Sequence, residues 1–141
     1  MATVKGDRVT RSSALEALRY TGTYPGRPDQ VQRARKDVAR YLAGHPAADD
    51  AVLITSELAS NAILHSSSNG QSFIVRAEIY PGCIWLEVED LGGPWILRPR
   101  DACRPHGLDV VEALVGPDNW GVDGDQAGRV AWCRLELEAR R

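Results

Sequence analysis

Glu57, Asn61 and His65 recur at intervals of four, and at about 100° per helical residue such positions fall on one narrow stripe. Leu53, Ile54, Leu58 and Leu64 flank the stripe, so a carboxylate, a carboxamide and an imidazole point the same way from an apolar segment. Between Ala51 and His65 no Asp, Lys or Arg accompanies Glu57, and no partner on that helix offsets the cost of taking its charge out of water. A magnesium ion with its waters meets the need. It prefers oxygen ligands, keeps several waters, and is shared between one or two protein groups and substrate phosphates. In that reading Asn61 supplies a carbonyl oxygen and Glu57 accepts a proton. A second reading is structural: Glu57 and Asn61 bond to loop amides, and His65 is stabilised at the helix end by the negative pole of the macrodipole. Spacing alone favours the second.

Two further features have low specificity singly. Asp90 ends a strand pattern and is followed by Gly92, Gly93 and Pro94. An acceptor there can read an exocyclic amino group while the glycines let a flat ring approach the backbone, yet an Asp before glycines also suits any tight turn. Gly107 opens a helical pattern, and the free amides of a helix start suit phosphate.

Holding such groups in place falls to the surrounding secondary structure. Leu18 to Tyr24 alternates as a short edge strand closed by Pro25, Gly26 and Pro28. Asp29 and Gln32 have capping-box spacing before a helix to about Leu42, stopped by Gly44 and Pro46. Asp49 or Asp50 caps the next helix, apolar on almost every side and so expected to be mostly buried. Phe73 to Ile79 and Ile84 to Val88 alternate around Pro81 and Gly82, predicting an antiparallel hairpin ending at Asp90. Leu91 to Pro105 reads as a lid. A helix from Gly107 to Val115, a strand at Trp120 to Val122 and a last strand from Arg129 to Leu137 follow. The order predicts an α+β two-layer sandwich: a mainly antiparallel mixed sheet with helices on one face.

The 141 residues suit one domain, read as residues 14–141 after a loose, disordered stretch from Met1 to Ser13. The 17 basic and 19 acidic residues nearly cancel and form no blocks, which argues against nucleic acid or anionic lipid as a partner. No run approaches the roughly 20 apolar residues that span a bilayer. Cys83, Cys103 and Cys133 have no paired spacing and no signal-peptide pattern precedes them, so a reducing cytoplasm is expected. The sequence contains no phosphate loop ending in lysine plus a hydroxyl residue, no H-E-x-x-H and no G-x-S-x-G elbow. Cys103 and His106 have the spacing of half a zinc site without a second half. Trp85, Trp95, Trp120 and Trp132 are spread over different elements, as core or edge packing would have them.

Taken together and in order, SELASNAILH (Ser56 to His65), VEDLGGP (Val88 to Pro94) and HGLDVVEAL (His106 to Leu114) resemble the N box and the two glycine boxes of the GHKL-type ATPase domain. The likeness is greatest to the small bacterial anti-sigma-factor serine/threonine kinases and their one-domain ATP-binding relatives. The ending WGV…GRVAW (Trp120 to Trp132) looks like that family's closing strands, and the segment at Arg33, Ala34 and Arg35 resembles its first helix. The resemblance covers Arg19 to Leu137. It implies the sandwich called the Bergerat fold, with ATP and Mg2+ as ligands. It implies Glu57 as general base, Asn61 as magnesium ligand, Asp90 as adenine reader and the Gly107 helix start as phosphate cradle. His65, Gly92, Gly93, Arg104, Leu108 and Gly128 join the nucleotide site on the same basis.

In kinases of this family ATP's terminal phosphoryl group goes to a serine of an anti-sigma-factor antagonist, and the kinase also sequesters a sigma factor. Those two proteins are the partners implied, with a homodimer left open. A regulatory module that uses nucleotide only conformationally, or not at all, is the alternative. Three departures bear on it: Arg104, Pro105 and His106 precede Gly107 where the family has a second glycine, Val130 stands where a threonine is common whose hydroxyl would help hold the adenine site's aspartate and a water, and the lid is short. Closure is then expected to depend on a partner or on Arg98, Arg100 and Arg104.

Overall fold

Apolar residues on alternate positions of four strands leave each with one face that must be covered. In the computed structural model, which describes residues 19–65, 71–90, 107–125 and 128–137, that cover is a layer of helices. The strands β1 (Arg19–Pro25), β2 (Ser72–Tyr80), β3 (Cys83–Asp90), β4 (Trp120–Asp125) and β5 (Gly128–Glu136) form one sheet in the order β1-β2-β3-β5-β4. The helices are α1 (Pro28–Tyr41), α2 (Ala48–His65) and α3 (Gly107–Val115). This is the α+β two-layer sandwich expected, but the sheet is not mixed: every pairing between the described strands is antiparallel.

The inward face presents Phe73, Val75 and Ala77 from β2, Ile84, Leu86 and Val88 from β3, and Ala131, Cys133 and Leu135 from β5, all buried. Against it lie Ile54, Leu58, Ala59 and Ala62 of α2, Ala34 and Val38 of α1, and Val111 of α3. Each fully buried Leu, Ile, Val or Phe contributes about 1.5–3 kcal/mol relative to exposure. α2 is the central helix, packed on β3 and flanked by α1 and α3.

Two local expectations, both about helix starts, are corrected. Asp29 does not cap α1: the helix starts at Pro28, with Arg27 in the capping position and no side-chain bond there. Proline suits that place because its fixed φ is helical and its missing N–H would be unsatisfied anyway. Asp29 instead accepts from Arg27 Nε and Gln30 Nε2, both at 3.2 Å. Likewise α2 begins at Ala48, so Asp49 and Asp50 lie inside its first turn, where they still face the positive pole. Otherwise α2 is largely covered, as expected, apart from one stripe. Leu53 is 40% exposed, Ser60 is exposed and Glu57 is half-buried, because no described element covers that stripe.

The outward sheet face carries two of the tryptophans expected in core or edge packing. Trp85 and Trp132 stack with centroids 5.0 Å apart and planes 5° from parallel, and Trp85 Nε1 donates to Glu87 Oε2 at 2.7 Å. Arg76 bridges Glu87 at 3.3 Å and Glu89 at 2.7 Å beside them. No helix among the described residues is long and apolar enough to cross a membrane.

Candidate functional site

Asn61 is 3% exposed, on the side of α2 that turns toward its neighbours. Its Nδ2 donates to the Glu57 carbonyl oxygen at 2.9 Å, the preceding turn of the same helix. That bond settles which way the amide lies, since only the nitrogen can donate. Oδ1 is therefore the atom directed off the helix, and it is shielded from solvent with no hydrogen-bond partner among the described residues. A buried, unmatched acceptor costs about 1–3 kcal/mol, so its persistence asks for a ligand. A hard cation is the kind of group an amide oxygen suits.

The structural alternative is thus answered differently for each residue. Among the described residues Asn61 bonds to its own helix and not to a loop. Glu57, one turn earlier, stays half-buried, and its carboxylate makes no hydrogen bond or ion pair among the described residues. That carboxylate keeps contact with water, so the expected full desolvation does not occur. His65 closes α2; its side chain lies outside the described residues.

Asp90 ends β3 and is 3% exposed. Registers on both sides place it in a row crossing the whole sheet on the inward face: Tyr24 opposite Phe73, Phe73 opposite Asp90, Asp90 opposite Arg129, and Arg129 opposite Gly124. The row is apolar at the β1 end, where the Tyr24 and Phe73 rings stack at 5.4 Å. The Tyr24 hydroxyl, in contact with Tyr20, donates to Asp37 Oδ2 of α1 at 2.8 Å. Burial raises the Tyr24 phenol's pKa, while that hydrogen bond, with Arg40 behind it, holds Asp37 below the ordinary carboxylate value. The row turns charged at Asp90 and Arg129. α2 ends at His65, and the next described strand, β2, begins at Ser72, one residue before Phe73 of this row.

The same registers correct one reading of the sequence. Val130 is opposite Glu89 on the outward face, so a hydroxyl there would not approach Asp90. The residue that faces Asp90 is Arg129. Sequence reasoning passes over it, although the parity is legible: Arg129 alternates in step with the buried Ala131, Cys133 and Leu135.

Of the remaining predicted residues, Gly107 is the first residue of α3 and Leu108, behind it, packs against the core. Gly128 opens β5 opposite Asp125. Gly92, Gly93 and Arg104 lie outside the described residues, as do Cys103, His106 and the whole lid from Leu91 to Pro105. No group of three or more His, Cys, Asp or Glu among the described residues is placed to hold a metal; an ion held by one amide oxygen, phosphates and water needs no such group. A groove of about 710 Å³ between α1 and α2 is lined by Pro28, Asp29, Val31, Gln32, Arg35, Ser60 and Ile63. Its polar groups are exposed, and none of the predicted site residues lines it.

This architecture has a solved counterpart. A chain in the crystal structure of the RsbU and RsbW domains of Rv1364c from Mycobacterium tuberculosis matches with a TM-score of 0.66 at 22% sequence identity. The match covers 84% of the present chain and 32% of that one, so the present chain spans about a third of its neighbour's length. At this identity the likeness establishes the fold. No protein-family model matches the sequence, and no curated protein does.

Proposed function

We propose that the protein is an ATP-binding regulator of the anti-sigma-factor kinase type, transferring a phosphoryl group to a serine of an antagonist protein and sequestering a sigma factor. The observation that carries this reading is the buried, unpartnered Oδ1 of Asn61, held in place by the bond from Nδ2 to the Glu57 carbonyl. Support comes from the resemblance of three ordered motifs to the GHKL pattern and from a fold shared with a chain bearing RsbU and RsbW domains.

Asn61 is the residue that holds magnesium in this reading; the ion, when bound, offsets the negative charge of the nucleotide phosphates. Asp90 accepts from the base at the sheet rim, and the first amides of α3 at Gly107 and Leu108 receive phosphate. Glu57, half-exposed and one helical turn from Asn61, takes the proton of the attacking serine hydroxyl. Positioning and charge stabilisation do most of the work in such a transfer, which suits a site whose ligands sit on helices and a strand end. Cytoplasmic location and the two protein partners belong to the same reading.

The test is to incubate the protein with labelled ATP, magnesium and an anti-sigma-factor-antagonist protein from the same organism. Label on the antagonist's serine supports the kinase. Nucleotide binding without transfer supports the alternative, a module that uses nucleotide conformationally, which the residues Arg104, Pro105 and His106 ahead of Gly107 favour.

A further inference from the structure

Arg129 occupies the inward parity of β5, directly opposite Asp90 on β3 and Gly124 on β4. Directly opposed residues of an antiparallel pair share a face, their Cα atoms about 4.5–5.5 Å apart. The arginine stem lies against Gly124, its Cγ 3.2 Å from where a Cβ of that residue would stand. Its Nε is shielded from solvent and has no hydrogen-bond partner among the described residues. A buried, unmatched N–H of a charged group is costly, and the residue that carries it is the cross-strand neighbour of Asp90, whose carboxylate is assigned to the base. The pair therefore offers, side by side on one face at the sheet rim, an acceptor and a donor. Adenine presents the complement along one edge: an exocyclic amino group that donates, adjoining the ring nitrogen N1 that accepts.

We propose that Arg129 is a second base-reading residue, donating to N1 of adenine while Asp90 accepts from the adjoining amino group. The inference rests on the nucleotide reading above and extends it to a residue that the sequence motifs do not assign. Guanine has its acceptor and donor in the opposite order on that edge, so the pair selects adenine among purines.

The experiment is calorimetric titration of the full chain with magnesium-ATP and with 1-deaza-ATP, in which a C–H replaces N1. The wild type is expected to bind ATP about tenfold or more tightly than the deaza analogue, the worth of one charge-assisted hydrogen bond. Arg129→Met keeps the stem over Gly124, removes the donors, and should bind the two nucleotides alike. Arg129→Lys should recover part of the preference, which loss of packing alone would not produce. Equal binding by the wild type, or a preference that survives in Arg129→Met, overturns the role of Arg129 while leaving nucleotide binding intact. No binding of either nucleotide by the wild type overturns both readings. The wild-type comparison needs no variant to fold.

Discussion

The side-chain amide of Asn61 is tied to the Glu57 carbonyl one turn back at 2.9 Å, and by that bond its oxygen is left buried and unmatched. An asparagine that served only to satisfy its surroundings would use both ends. Here one end is spent on orientation and the other is kept in reserve.

Asn61→Ala is therefore expected to separate stability from binding. In the nucleotide-free protein the change should be under about 1 kcal/mol, because the lost bond is offset by removal of a shielded oxygen. Nucleotide at 100 times its Kd adds about 2.7 kcal/mol to the folded wild type. Thermal melts with and without magnesium-ATP should show that gain in the wild type and most of it missing in the variant. A full shift in Asn61→Ala would remove this residue from the site.

Glu57→Gln keeps size and polarity but takes away the base. Since the carboxylate makes no described structural bond, melting temperature and ATP affinity should be unchanged. Transfer to the antagonist serine should fall by about 10²- to 10⁴-fold, the usual worth of a positioned base. Single-turnover measurements with labelled ATP test this, and undiminished transfer would exclude Glu57 as the base.

The Tyr24 and Asp37 pair should be visible in the acid limb of the stability curve. Asp37 has its pKa lowered below 3.8, chiefly by the Tyr24 hydroxyl. A carboxylate whose pKa is depressed by folding contributes stability that is complete above the unfolded value and is lost as pH falls through the folded one. Urea unfolding from neutral pH down through the carboxylate range should show a steeper fall for the wild type than for Tyr24→Phe. At neutral pH the same variant should lose about 1 kcal/mol for the hydrogen bond. Parallel curves would mean that Asp37 is not held by Tyr24.

Gly124 has φ +149° and lies opposite Arg129. A Cβ there would meet the Gly128 carbonyl oxygen and come within 2.7 Å of the Arg129 Cα, both backbone atoms that cannot give way cheaply. Gly124→Ala should cost about 1–3 kcal/mol, read as a lowered urea midpoint. Gly82, in the β2 to β3 turn, has nothing within 4 Å of the corresponding point, and Gly82→Ala should stay within about 0.5 kcal/mol as a control.

Local periodicity makes much of this molecule legible in its amino-acid order. The four-residue spacing of Glu57, Asn61 and His65, and the alternation from Phe73 to Asp90, are short-range patterns that the helix and strand geometries read out directly. The helix from Gly107 to Val115 has the expected bounds because Gly116, at φ 92°, ends it and returns its amide to the Glu112 carbonyl at 2.8 Å. Where pattern misleads, a neighbour distant in sequence or a competing local device prevails: Pro28 displaces Asp29 from the start of α1, and Glu57, on a side of α2 that no described element covers, is only half-buried.

Amino-acid order thus specifies the set of elements, the inward parity of each strand, and the succession of motifs that resembles the GHKL pattern. It does not specify that β5 inserts between β3 and β4, nor, following from that insertion, that Arg129 rather than Val130 faces Asp90. The enclosure of the Asn61 oxygen without a partner is likewise a product of the folded arrangement. Alternation dictates which residues share a face of one strand, but the pairing of strands far apart in the chain depends on how the helix layer and the sheet close over a common core.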